Sequence, residues 1–185
     1  YLGLGKAAPD PALQSLAEQC VQEFEAVAQY RACRLILPIQ TVGEQVDFGG
    51  VLSLTSKSLF KNLDRCERTI LFAATTGAGG ERLLKQAAVT SPAKAVVLDA
   101  VGTAAIEGFC DALCRSWAGE FPGYFLRPRF SPGYGDLPLE EQRPLLSCLD
   151  SGRKAGITLT QSLLMVPQKS VSAIVGMGET GCETR

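Results

Sequence analysis

Between residues 10 and 28, apolar side chains fall at Leu13, Leu16, Ala17, Cys20, Val21, Phe24, Val27 and Ala28. That i, i+3, i+4, i+7 spacing places one apolar stripe on a helix. Asp10 and Pro11 precede the stripe as an N-cap and a first helical residue with preset φ. Beyond Tyr30 the period shortens. "CRLILPIQ" and "QVDFGGVLSLT" predict strands, the second interrupted at Gly49-Gly50 by a turn or bulge. "SKSLFKNLDRC" predicts a short helix with Leu59, Phe60, Leu63 and Cys66 facing inward, "TILFAATT" a buried strand, and "GERLLKQAAV" another helix.

Pro92 to Trp117 is rich in Ala, Gly and Cys and predicts a long central helix, with Ser91 before it and Gly119 after it as caps. Gly102 and Gly108 each cost such a helix roughly 1 kcal/mol relative to Ala, which implies that something packs close to them. "GYFLRPRF" predicts a strand. "LPLEEQRPLLSCLD" predicts a helix that Pro144 should kink or delay. "ITLTQSLLMVPQKSVSAIVGM" predicts a hairpin of two antiparallel strands around Pro167-Gln168-Lys169. Strands and helices do not alternate cleanly, so the expected class is α+β rather than a doubly wound parallel sheet.

At 185 residues, 46% hydrophobic and 20% charged, the chain has the make-up of one globular domain, residues 1–185. A net charge of −1 argues against a nucleic-acid partner. No apolar run reaches the roughly 18–20 residues that span a bilayer, which argues against a membrane partner. "YLGLGKAAPD" reads as an internal stretch with no signal peptide. Seven cysteines, at 20, 33, 66, 110, 114, 148 and 182, contain no C-x-x-C, and fit a reducing, cytoplasmic compartment. There is no histidine. A Ser-His-Asp or Cys-His mechanism from this chain alone is therefore excluded, and any chemistry falls to a bound cofactor or a partner.

Several motifs compete for a function. "TTGAGGER" sits where phosphate loops sit, but it lacks the Lys-Ser/Thr pair of a P-loop, and Arg82 stands where a third glycine is needed; a glycine-rich strand-to-helix turn is the default. "GMGETG" matches G-x-G-x-x-G, but no helix and second strand follow it. Cys110 and Cys114 lie one helical turn apart, where packing is a better account than a metal site. Asp99 fits a surface face of the central helix. Glu107 lies among Ala104, Ala105, Ile106, Gly108 and Phe109, and burying its carboxylate requires a partner, either an internal Arg or Lys or a cationic ligand. In "RFSPGYGD", Pro132-Gly133 suits a tight turn. Arg129 is either a surface ion pair or a bidentate site for a carboxylate or phosphate, and Tyr134 either a packed corner or a ring that stacks on a ligand.

Arg129, Pro132, Gly133 and Tyr134 form an R-x-x-P-G-Y turn, Ile157 to Pro167 an I-x-L-T-x-S-x-x-M-x-P stretch, and Ser170-Val171-Ser172 a short strand. Together these resemble the C-terminal reactivation domain of cobalamin-dependent methionine synthase. "VVLDAVGTAAIEGFCDAL" resembles the helix that carries an acidic ligand residue in that family. The motif-bearing part is 92–178; residues 1–91 resemble only shorter, stand-alone relatives. The resemblance implies a curved α+β domain around a twisted antiparallel sheet, with flanking helices and a shallow groove for S-adenosylmethionine (AdoMet). It implies docking in trans on the corrinoid-binding module of a methionine synthase or related methyltransferase, whose cobalamin has been oxidised to the cob(II) state. Flavodoxin in many bacteria supplies the electron, and AdoMet the methyl group, of the reductive methylation. By the same resemblance Arg129 meets the AdoMet carboxylate and Glu107 its cationic part. Ser131 and Gly133 offer backbone to the adenine or amino-acid part, and Tyr134 is the motif tyrosine. No residue is expected to be catalytic or to bind metal; the chain is an accessory of a methyltransferase. Gly123 stands where the family has an acidic residue, and the acidic ligand of the family's N-terminal part and its tyrosine beyond the S-V-S strand have no visible counterpart. These departures keep open an alternative, a non-catalytic domain that grips a corrinoid protein and has lost AdoMet.

Overall fold

The computed structural model describes residues 10–179. Its centre is β4 (Arg68–Thr75), in which every residue after Arg68 is buried. β4 lies antiparallel between β1 (Arg31–Val42) and β8 (Ser170–Glu179), pairing Leu71 with Leu35 on one side and with Ile174 on the other. The hairpin of β2 (Gln45–Phe48) and β3 (Leu52–Thr55) extends the sheet beyond β1, and β5 (Tyr124–Leu126) extends it beyond β8. The six strands run in the order β3-β2-β1-β4-β8-β5, all neighbours antiparallel.

Alternate β4 side chains enter two cores, because successive side chains point to opposite faces of a strand. Leu71 and Ala73 pack with Leu59 and Leu63 beside α2 (Lys57–Asn62), Leu145 and Leu149 of α5 (Gln142–Leu149), and Ala155 of α6 (Ser151–Ala155). Ile70, Phe72 and Ala74 pack with Ile106, Cys110 and Trp117 of α4 (Pro92–Glu120). Both faces are covered, so β4 reads as a continuous apolar run. α1 (Pro11–Val27) and α3 (Gly79–Thr90) form an outer layer on α4, joined through Cys20, Phe24, Ala87, Val97 and Leu98. This is the expected α+β class, with an open antiparallel sheet.

The glycines of "TTGAGGER" serve this outer layer. A Cβ on Gly79 would fall 2.0 Å from the Val27 carbonyl oxygen, and one on Gly80 2.3 Å from the Phe24 ring. Gly102 likewise faces Phe24 and Lys169, but Gly108 faces open space, so the close neighbour expected there does not exist. Pro11 opens α1 as expected, whereas the Asp10 and Ser91 side chains make no capping hydrogen bond, and α4 runs through Gly119 to Glu120. Leu59 and Leu63 face inward, but Phe60 lies at the surface.

Two expected strands are rearranged. The hairpin expected around Pro167-Gln168-Lys169 does not form. β6 (Thr158–Leu159) and β7 (Met165–Val166) pair with each other, while β8 belongs to the main sheet. The turn sits earlier, where the Thr160 hydroxyl accepts from the Leu164 N–H at 3.0 Å. Lys169 turns away from β7, its carbonyl accepting from the Thr76 N–H at 3.0 Å. "GYFLRPRF" keeps only three strand residues before Pro128 interrupts the ladder, and the chain regains β8 through a bridge between Phe130 and Ile174. A 3₁₀ turn at Leu139–Glu141 precedes α5, so Pro144 stands in the first turn of α5, where its missing N–H costs no bond. Gly176 and Gly178 are interior to β8; the last two residues of "GMGETG" and Cys182 lie outside the described residues.

Candidate functional site

The turn that follows Arg129 is fixed at both ends. At its start, Phe130 and Ile174 exchange backbone hydrogen bonds, 2.9 Å from the Phe130 N–H and 2.8 Å from the Ile174 N–H. Within it, the Tyr134 N–H donates to Ser131, the Gly133 N–H to Leu137 and the Leu137 N–H to Tyr134. Gly133 and Gly135 take φ of +92° and +57°, values that L side chains rarely adopt. At its end, Asp136 accepts from the Ser56 hydroxyl at 2.6 Å, the Lys57 N–H at 2.8 Å and the Ser58 N–H at 2.9 Å. These donors, the Ser56 hydroxyl first, hold the Asp136 carboxyl well below the usual carboxylate range. A Cβ on Gly135 would lie 2.5 Å from the Ser58 hydroxyl, so the brace needs glycine there.

Past the Phe130–Ile174 bridge, no strand among the described residues covers the outer edge of β8. A groove of about 770 Å³ opens there between α4 and the turn, within the size range of small-molecule sites. Glu107, Asp111 and Cys114 reach it from α4, Arg129, Ser131 and Tyr134 from the turn, and Gln142 and Ser172 from α5 and β8. Tyr134 stands at the rim, 57% exposed, its ring set edge-on against Phe130 with centroids 6.1 Å apart.

Arg129 crosses the groove to α4. Its Nη2 lies 2.7 Å from Glu107 Oε2 and 3.1 Å from Asp111 Oδ1. Nη1 is buried and has no hydrogen-bond partner. Burial opposes the guanidinium charge, and Cys110, Glu107 and Asp111 together raise its pKa above the ordinary value. Burial pushes the Cys110 thiol up to about 12, against the lowering effect of Arg129, so this cysteine is neutral at physiological pH. The charges that face Arg129 there are the two carboxylates.

Of the residues expected from the sequence, Glu107, Arg129, Ser131 and Tyr134 share the groove; Gly133 shapes the turn without lining it. Glu107 pairs with an internal arginine, Arg129. Asp99 pairs with Lys169 at 2.8 Å. Sequence reasoning missed Asp111 and Asp136. Asp111 stands four residues after Glu107, the spacing that puts two side chains on one helix face, and was the legible one. Asp136 gave no signal, since its partners lie some eighty residues upstream. Among the described residues no cluster of His, Cys, Asp and Glu is placed to hold a metal ion, and the six cysteines are free. No described helix is long and apolar enough to cross a membrane.

The family model described as "Vitamin B12 dependent methionine synthase, activation domain" matches residues 67–181. This chain belongs to that family. The match begins just before β4 and takes in α3, α4, the R-x-x-P-G-Y turn and β8, hence every wall of the groove. Among solved structures, the chain is similar to the MetH reactivation domain bound to AdoHcy, with a TM-score of 0.71 at 17% identity, covering 98% of this chain and 70% of that one. That likeness establishes the fold, and it extends over α1 to β3, upstream of the family match. No curated protein matches the chain.

Proposed function

We propose that this activation domain binds AdoMet in the groove and acts in trans on the corrinoid-binding module of a methionine synthase or related methyltransferase, supporting reductive methylation of its cobalamin. The observation that carries the reading is the meeting of Arg129, Glu107 and Tyr134, from two separate elements, in one cavity at an open sheet edge. AdoMet presents a carboxylate, an ammonium, a sulfonium and an adenine ring. Arg129 matches the carboxylate with a planar fork of donors. Glu107 matches the cationic part. Tyr134 offers an exposed ring for the adenine, and Ser131 lines the groove between Arg129 and Tyr134. The likeness to the MetH reactivation domain bound to AdoHcy, the demethylated form of AdoMet, supports the same ligand class here. The partner's cobalamin, reduced by one electron from a flavodoxin-like donor, would supply the acceptor for the sulfonium methyl, with AdoHcy as the product left in the groove, while this chain's residues would bind and orient AdoMet. No proton moves in that transfer, so a chain without histidine can support it. Calorimetry with AdoMet on the wild-type domain and Arg129→Ala tests the site. Binding by the wild type and its loss in the variant are expected; equal binding, or none in either, overturns the assignment.

One observation favours a second reading, a domain that grips a corrinoid module without AdoMet. Arg129 already has carboxylate partners within the chain. That reading predicts capture of a corrinoid module and no shift in melting temperature with AdoMet.

A further inference from the structure

The geometry points to Asp111 as a specificity-determining residue, a built-in competitor for the ligand carboxylate at Arg129. The inference rests on the AdoMet reading and concerns which ligands the groove admits. A guanidinium presents five N–H donors in a fixed fork. In Arg129 the Nη1 corner is buried, away from solvent and without a hydrogen-bond partner. Nη2 faces the groove and is shared by two carboxylates, Glu107 at 2.7 Å and Asp111 at 3.1 Å. Only the Glu107 contact is a hydrogen bond, so an arriving carboxylate competes with Asp111, held by charge alone, for the groove side of the guanidinium.

Asp111 is the one that withdraws. Its contact is the longer, and its side chain is 57% exposed against 40% for Glu107, so water takes over its solvation more readily. No described hydrogen bond other than this ion pair ties its carboxylate down, and Arg115, also on the groove wall, lies only one helical turn further along α4 to receive it. Glu107 stays on Arg129 and remains available to the ammonium. Arg115 and Arg127 also line the groove, so Asp111 acts on the Arg129 guanidinium rather than on the charge of the whole groove. By occupying that guanidinium, Asp111 lowers the advantage of a ligand that carries a carboxylate over one that lacks it.

Calorimetry on the folded domain, with AdoMet and with decarboxylated AdoMet as paired probes, tests this in wild type, Asp111→Asn and Glu107→Gln. Asp111→Asn keeps the shape of an exposed side chain on α4, and far-ultraviolet circular dichroism with a melting curve confirms that each variant is folded. Asp111→Asn is expected to bind AdoMet about two- to five-fold more tightly, the span of an exposed ion pair. The same variant should not gain affinity for decarboxylated AdoMet, so the ratio between the two ligands rises. Glu107→Gln should weaken both. If Asp111→Asn binds AdoMet no more tightly than wild type, or weakens both ligands alike, Asp111 does not compete for Arg129 and the inference is overturned while AdoMet binding stands. If neither wild type nor Asp111→Asn binds AdoMet, the AdoMet reading falls as well.

Discussion

Replacing Gly135 by alanine should loosen the turn that carries Arg129 and Tyr134. Two costs combine. At φ of +57° an L side chain pays roughly 1–2 kcal/mol for the left-handed conformation. The new methyl carbon would also stand 2.5 Å from the Ser58 hydroxyl and 2.7 Å from Ser58 Cβ, and overpacking of that kind costs about 1–3 kcal/mol. Relieving the clash by moving the turn pulls Asp136 away from Ser56, Lys57 and Ser58, so strain and brace are coupled. The sum is about 2–5 kcal/mol, or a melting temperature lower by roughly 4–20 °C for a chain of this size. Thermal melts followed by circular dichroism measure it, and a Ser58→Gly background separates the terms. Ser58→Gly removes the clashing atoms and itself costs up to about 1 kcal/mol as a glycine in a helix. The double variant should therefore be more stable than the two single losses added together, by about the overpacking cost. Additive losses, or an unchanged melting point in Gly135→Ala, would refute the idea that this turn is braced against α2.

Asp136 should make stability depend on pH at the acid end. Its folded carboxyl titrates below the unfolded value of about 3.9, so its contribution is fully present above that pH and is lost as pH falls below it. Urea midpoints between pH 6 and about pH 3 should fall more steeply for wild type than for Asp136→Asn, and parallel curves would contradict the brace. Gly80→Val should drive its side chain into the Phe24 ring and cost about 1–3 kcal/mol, read as a lower urea midpoint. Phosphate should stabilise neither form; a phosphate-dependent rise in wild type alone would return "TTGAGGER" to contention as a binding loop.

The parts of the fold that were legible are those in which one element's own pattern decides its structure. The unbroken run of β4 reports its burial directly, and the apolar positions of α1 and α4 place Cys20, Phe24, Ile106 and Trp117 in the cores, although Val21 and Val27 of the α1 stripe lie at the surface. The misread segments are those decided by contacts between distant residues. Pro167-Gln168-Lys169 has the composition of a hairpin turn, yet Thr75 and Thr76 at the end of β4 and Glu81 of α3 bind its backbone, and the strand pairing moves to the main ladder. Phe60 fits the helical spacing of Leu59 and Leu63 closely enough to mislead, because a six-residue helix gives the period little length in which to declare its face. Gly108 shows that a small residue permits a close neighbour without requiring one.

The site divides along the same line. Arg129, Ser131, Gly133 and Tyr134 were legible because six consecutive positions hold a turn and its arms together. What the one-dimensional reading could not supply was the charge balance. Taken separately, Arg129 is a receptor for an anion and Glu107 a receptor for a cation, and each awaits a ligand. Folded, they satisfy each other, and Asp111 brings a second carboxylate to the same guanidinium. Binding at such a site is an exchange of partners, and its free energy is the difference between two sets of ion pairs rather than the sum of new ones. A ligand carboxylate that replaces Asp111 on the guanidinium leaves Asp111 one helical turn from Arg115, so its charge is answered within the groove wall. What the ligand gains at Arg129 is therefore the difference between its own carboxylate and that of Asp111 on one guanidinium.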